Sequence, residues 1–335
     1  MKNLAEESYL KKCSAMFTVS RAFSLISIVA AHIVFPPSDF DFLNKLYSAV
    51  GSIGVVVFLF ISAYYYNTQK FSSLLQMLKK KFISIGIPWA VLGTFTYLYN
   101  AILSGNLDII KWLAWLVGYK TYLYFLTILF LCFVIFYRAN KTFCYFCIPI
   151  SLISIMLTAG GILDPVISFL HITDYLNIFN WIGIFAVGQL LKDLDAKRLY
   201  TFIFKYRLLW TLLFALSVTA VIIFELKIGY FSFVGIYFEI LGALFIFSVS
   251  SFKIFSNRLF SSIANNSFSV YLIHLPLIGI LDRVYNLSAF SQAISVFLVI
   301  LVAHFILEFA KLIVVKTKCK KIFYLILGFR DRKVS

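Results

Sequence analysis

Runs of about twenty apolar residues recur almost without pause along this chain of 335 residues. A helix of that length is what crosses a hydrocarbon core of ~30 Å. No water reaches backbone N–H and C=O groups there, so such runs satisfy them internally, as helices. Ten cores are read, at Ala15–Phe35, Leu46–Tyr66, Phe82–Leu103, Thr121–Tyr137, Phe143–Leu163, Leu176–Leu191, Leu208–Glu225, Phe231–Ser250, Leu259–Leu281 and Phe290–Lys311. The composition, 62% apolar and 13% charged, is far from that of a soluble domain. The pattern predicts an all-α polytopic membrane protein with about ten transmembrane helices. Trp112 to Val117 is too short to span and reads as an interfacial or re-entrant piece, with two tryptophans suited to an interface.

A net charge of +16 would suit a nucleic-acid partner, but the cations fall almost entirely in alternate loops, which argues against one. Segments sharing a side with the N-terminus hold 24 of the 30 Lys and Arg residues, the opposite loops hold five, and Arg21 lies within a helix. The positive-inside rule then places both termini in the cytoplasm. The outer loops are SDFDF, SGNLDIIK, the LDPVISFLHITD stretch, LKIGYF and DRVYN. Topogenic bias and contact with anionic membrane lipid account for most of the cations.

Residues 1–335 read as one membrane domain, since no linker, low-complexity block or soluble domain interrupts them. The lack of an internal repeat argues against inverted-repeat transporters, and the lack of a GxxxxGK[ST] loop argues against a primary pump. The first apolar segment is long, carries Arg21 and has no small-residue cleavage site, so it is read as a retained helix rather than a signal peptide. Five cysteines, at 13, 132, 144, 147 and 319, all lie in expected helices or on the cytoplasmic side and form no disulfide set. Cys144 and Cys147 make a CxxC with no second ligand pair, which reads as small buried hydrophobes rather than a metal site.

Several polar residues interrupt the apolar runs. In SRAFSLISIVAAHIVFPP, Arg21 and His32 are eleven residues apart, about 16 Å of rise and three turns plus ~20°, so both project from one face. Arg21 has two readings, snorkelling to the cytosolic headgroups or lining a polar cavity. His32 is either a helix-end histidine wetted by the interface or a functional group beside the outer surface, where Pro36 and Pro37 stop the helix. In SFSVYLIHLPLI, Pro276 frees a backbone carbonyl that needs a partner, and His274 is either a packed hydrogen-bonder or part of a site. Glu239 lies deep in the eighth segment, either pairing with Arg21 or a histidine or hydrogen-bonded within the bundle. His304, Glu308 and Lys311 read as a local ion-paired set.

These features together resemble the integral-membrane acyltransferase 3 family, whose hallmark is an Arg-x10-His pair in the first helix, matched by Arg21 and His32. GSIGVVVFLFISAYYY is similar to that family's second helix, with Ala63 where a glycine is usual. LKKKFISIGIPW resembles its basic cytoplasmic loop running into a proline, with Lys79, Lys80, Lys81 and Pro88 in place and no second arginine in FISIGI. TYLYFLTILF, with Tyr124 in place of Trp, NWIGIFAVGQLL and SFSVYLIHLPL follow in the family's order.

The resemblance implies transfer of an acyl group, usually acetyl from acetyl-CoA, to a hydroxyl of a surface polysaccharide or lipid-linked glycan, at the bacterial cytoplasmic (inner) membrane. A hydroxyl attacking a thioester needs a base that titrates near neutral pH, which histidine supplies. His32 is expected as general base and Arg21 as its partner on the donor side. The phosphates of CoA are expected near Arg21, Lys80 and Lys81, with the pantetheine arm along the first helix. His274 and Glu239 are expected at the acceptor. The alternative is an exporter of a glycan or small molecule lined by Arg21, Glu239 and His274. A structural subunit, the third reading, leaves the charged seam unexplained. The acceptor's identity and the oligomeric state are not encoded in any motif here.

Overall fold

Chain buried in hydrocarbon closes its backbone hydrogen bonds locally, and a computed structural model of the protein is helical throughout, with no strand among the described residues. The structure describes residues 2–33, 41–226, 228–285, 287 and 291–329. In chain order the first helices are α1 (Lys2–His32), α2 (Asp41–Tyr64), α3 (Leu74–Lys81), α4 (Ile87–Ser104) and α5 (Ile109–Val117). There follow α6 (Tyr124–Ile135), α7 (Lys141–Ala159), α8 (Asp164–Phe169), α9 (Ile182–Lys192) and α10 (Ala196–Lys205). The last are α11 (Arg207–Ile223), α12 (Phe233–Ser250), α13 (Arg258–Tyr285), α14 (Gln292–Val315) and α15 (Lys320–Ile326).

Each of the ten apolar runs contains a helix, and six are long and apolar enough to cross a membrane. These are Glu6–His32, Leu74–Ser104, Lys141–Ala159, Phe233–Ser250, Arg258–Tyr285 and Gln292–Val315. Ala196–Lys205 and Arg207–Ile223 qualify together, across a 58° bend. The second, fourth and sixth runs hold shorter apolar helices, Ala49–Tyr64, Tyr124–Ile135 and Ile182–Lys192. The chain is thus a multi-pass membrane protein. The helix stop at Pro36 and Pro37, and the outer loop from Ser38, lie outside the described residues.

Three local expectations are corrected. Lys79 to Lys81 lie in the last turn of α3, not in a loop, because Ser73 caps the helix and Gln76 reaches back to Ser72. Ser73 Oγ accepts the Gln76 N–H at 3.1 Å, and Gln76 Oε1 accepts the Ser72 N–H at 2.7 Å. The helix passes from α3 to α4 through a π-turn at Phe82–Gly86, which accommodates Pro88 and its missing N–H. The sixth run starts late, at Ile182, because Asn180 is drawn onto α7: its Oδ1 accepts Ser154 at 2.6 Å and its carbonyl accepts Ser151 at 3.1 Å. The polar stretch before Leu208 contains α10, capped by Asp195 on the Lys197 N–H, with Ala196, Leu199 and Ile203 buried. Asp108 likewise caps the short α5. Gly118, at φ 92°, ends it, where a Cβ would strike the Tyr124 backbone.

Contacts group the chain into two units. The first comprises Met1–Tyr66, Asn140–Pro165 and Phe179–Asn265, and the second Asn67–Ala139, Val166–Ile178 and Asn266–Ser335. In the first, α1 and α2 meet through small residues, as helices do where lipid offers no hydrophobic push. A Cβ on Gly51 would collide with Ala31, and one on Gly54 with the Ser24 carbonyl, Ile28 and Ser27. Ser27 donates to the Val50 carbonyl and accepts the Gly54 N–H at 3.0 Å, so its hydroxyl joins the two ends of one helical rung. Gly188 of α9 packs on Ala63, while Gln189 donates to the Ala63 and Tyr66 carbonyls and Lys192 to that of Tyr66. These side chains hydrogen-bond carbonyls at and just past the end of α2. Gly242 seats α12 on Ile53, and the Phe17, Phe60 and Phe247 rings fill the core between.

In the second unit, Asn266 joins α13 to α14. Its Nδ2 donates to Glu308 Oε1 at 2.7 Å and lies 3.1 Å from His304 Nδ1. Lys311 donates to Asn266 Oδ1, and to Glu308 at 2.8 Å. The expected local set on α14 is present, and it closes onto a residue of a different helix.

The glycine contact yields a test. Gly54→Leu should lower stability by about 1–3 kcal/mol, the usual cost of overpacking, seen as a lower melting temperature in detergent. Gly229→Ala, whose added Cβ meets open space, should leave it unchanged. Equal melting of both variants would contradict the α1–α2 contact.

Candidate active site

Arg21 and His32 belong to one uninterrupted helix, which fixes them about 16 Å apart on one face. The structure places them differently along it. Arg21 is half-buried, and Tyr65, just past α2, lies against Ser14 and within electrostatic reach of it. His32 is the last residue of α1 and its side chain is exposed. Between them the same face carries Leu25 and Ile28, both buried. The seam is therefore open at His32, partly open at Arg21 and closed in its middle.

Glu239 belongs to the same unit and is 6% exposed. The Ser52 hydroxyl of α2 lies beside its carboxyl, whose Oε1 is buried without a hydrogen-bond partner among the described residues. Ser52 also donates to the Ala49 carbonyl at 2.9 Å. Glu239 thus sits one turn before Gly242, on the α12 surface that packs against α2.

His274 and the lysines belong to the second unit. His274 is fully buried between Tyr122 and Tyr271, with ring centroids 5.2 and 5.7 Å away, and its Nδ1 lies 2.6 Å from the Tyr271 carbonyl. That contact requires the proton on Nδ1, because a carbonyl only accepts. α13 runs unbroken through Pro276. Proline cannot donate to the carbonyl four residues back, Leu272, and the Tyr122 hydroxyl donates to it instead at 2.8 Å. Tyr271 in turn donates to the Tyr122 carbonyl. Tyr122 is the residue sequence reasoning missed here: the freed carbonyl was foreseeable, its donor 150 residues away was not. Lys79 and Lys80 are exposed, and Lys81 is half-buried with its ammonium 3.7 Å from the centre of the Phe133 ring.

The cysteines are free, with 13, 132, 144 and 147 buried and 319 exposed. Cys144 and Cys147 occupy one face of α7 as small apolar residues.

A helical membrane chain with an Arg-x10-His pair on its first span defines a class, and a family comparison names it. The model described as an acyltransferase domain, that of the acyltransferase 3 family, matches residues 17–311. The chain belongs to that family and is a membrane acyltransferase. No curated protein and no solved structure matches it.

The Tyr122 contact predicts a coupled pair. Tyr122→Phe should cost about 1–3 kcal/mol, because the Leu272 carbonyl loses its donor. In a Pro276→Ala background, where a backbone N–H returns to that carbonyl, the same change should cost clearly less. A double-mutant cycle on detergent melting temperatures checks this, and equal penalties in both backgrounds would refute the assignment.

Proposed function

We propose that the protein transfers an acyl group, acetyl first among candidates, from acyl-CoA to a hydroxyl of a surface polysaccharide or lipid-linked glycan. We further propose that it works in the bacterial cytoplasmic membrane with both termini inside, and that both contact units form one acyltransferase domain, since the family match runs through both. The observation that carries the reading is a single rigid helix holding a half-buried arginine and an exposed histidine on one face.

In this reading His32 takes the proton of the acceptor hydroxyl as its oxygen attacks the thioester carbonyl. The carbon–sulfur bond then breaks and the CoA sulfur leaves, protonated by the same histidine. In the first unit Arg21 holds a donor phosphate, and in the second Lys80 and Lys81 are cations suited to the same chemistry. For the acceptor, Glu239 is the candidate within the first unit and His274 the candidate within the second. A donor arm following α1 from Arg21 to His32 must part the packing over Leu25 and Ile28, so donor entry involves local opening of that face.

His32→Ala, at an exposed position, should leave abundance and membrane insertion intact and abolish transfer of radiolabelled acetyl from acetyl-CoA into glycan by isolated membranes. Arg21→Ala should raise the dissociation constant for acetyl-CoA more than the KM for acceptor. Transfer at the wild-type rate by His32→Ala, or an unchanged donor affinity in Arg21→Ala, would overturn these roles.

A further inference from the structure

Beside the bend between α10 and α11 lies a cavity of about 480 Å³ within the first unit. Three cations reach it, Lys12 from α1, Arg207 from the start of α11 and Lys253 from the segment after α12, among the rings of Tyr9, Phe204 and Phe252. No carboxylate lines it among the described residues. Asp195, at the start of α10, caps the Lys197 N–H.

Arg207 is the centre of this arrangement. It is half-buried, and its guanidinium carbon lies 3.9 Å from the Phe204 ring centre and 5.0 Å from that of Phe252. Its Nη1 is buried without a hydrogen-bond partner among the described residues. The rings hold the group in place and leave the Nη1 donor for an acceptor that the described residues do not supply. Like charges converging on a partly desolvated cavity call for an anion.

The surroundings indicate which anion. α10 buries Ala196, Leu199 and Ile203 and exposes Lys197, Arg198 and Lys205 together with Phe202 and Phe204. An amphipathic helix with cations and aromatic rings on its open side is the mark of a segment at the headgroup level. The phosphates of acyl-CoA are a second source of the same chemistry, but Lys12 lies twenty residues before His32 on α1, about 30 Å of rise. That is almost twice the span from Arg21 to His32, so a donor held here would not bring its thioester to His32. A zwitterionic headgroup would add its own cation to three others. We propose that the cavity around Arg207 binds the phosphate of an anionic phospholipid headgroup.

The test titrates the full-length protein in detergent with phosphatidylglycerol and with phosphatidylcholine, following retained lipid by native mass spectrometry. The wild type should retain phosphatidylglycerol in preference to phosphatidylcholine, and Arg207→Ala should weaken that binding at least about fivefold, the value of one cation near an anionic headgroup. Lys253→Glu, at an exposed side chain, should weaken it by as much or more and serves if Arg207→Ala does not fold. Equal retention of the two lipids by the wild type, or wild-type binding of phosphatidylglycerol by the folded variants, overturns the proposal. So does displacement of phosphatidylglycerol by acetyl-CoA, which would make the cavity a nucleotide site. Because lipid retention is read without acyl transfer, failure here leaves the roles of His32 and Arg21 standing.

Discussion

The closeness of α1 and α2 sets the terms for the functional groups on α1. In hydrocarbon, apolar side chains gain nothing by exchanging lipid for protein, so association relies on backbone approach and on hydrogen bonds. Gly51 and Gly54 allow the approach, against Ala31, Ser24 and Ser27. Ser27 adds the hydrogen bonds, reaching both the Val50 carbonyl and the Gly54 N–H. α2 is itself held by Gly242 of α12 at Ile53 and by Gly188 and Gln189 of α9 at its end. A helix clamped in this way carries Arg21 and His32 as fixed points, and fixed spacing is what a two-ended substrate such as an acyl thioester requires.

Polar residues in the membrane helices divide into locks and candidates for chemistry. Asn180 is enclosed by hydroxyls of α7, and Asn266 by His304, Glu308 and Lys311. Tyr122 repairs the gap that Pro276 leaves in α13. Each satisfies a buried polar group that would otherwise cost stability. His32 is exposed at a helix end, and Glu239 keeps a buried carboxyl oxygen without a partner among the described residues.

Much of the fold was legible because length and apolarity leave a buried segment few options. The ten apolar runs each contain a helix, and the Arg21–His32 face follows from a period of 3.6. Legibility failed where charge was taken for loop. Lys79 to Lys81 extend a helix because Ser73 caps it and Gln76 reaches back to Ser72, and the basic stretch before Leu208 hides the amphipathic α10, whose buried positions are only Ala196, Leu199 and Ile203. It also failed for partners distant in sequence: neither Ser52 beside Glu239 nor Tyr122 above Leu272 carries a local signal. The burial of Leu25 and Ile28 between the two polar residues was hidden for the same reason, since a helical face read alone does not reveal what covers it.

The central claim is that Arg21 and His32 make this chain a transferase of acyl groups to surface glycan. Mass spectrometry of the surface glycan from a deletion strain, compared with its parent and with strains complemented by wild type or His32→Ala, tests it most directly. The account predicts that an acyl mass disappears on deletion, returns with wild type and stays absent with His32→Ala. An identical glycan mass profile in all four strains would contradict it.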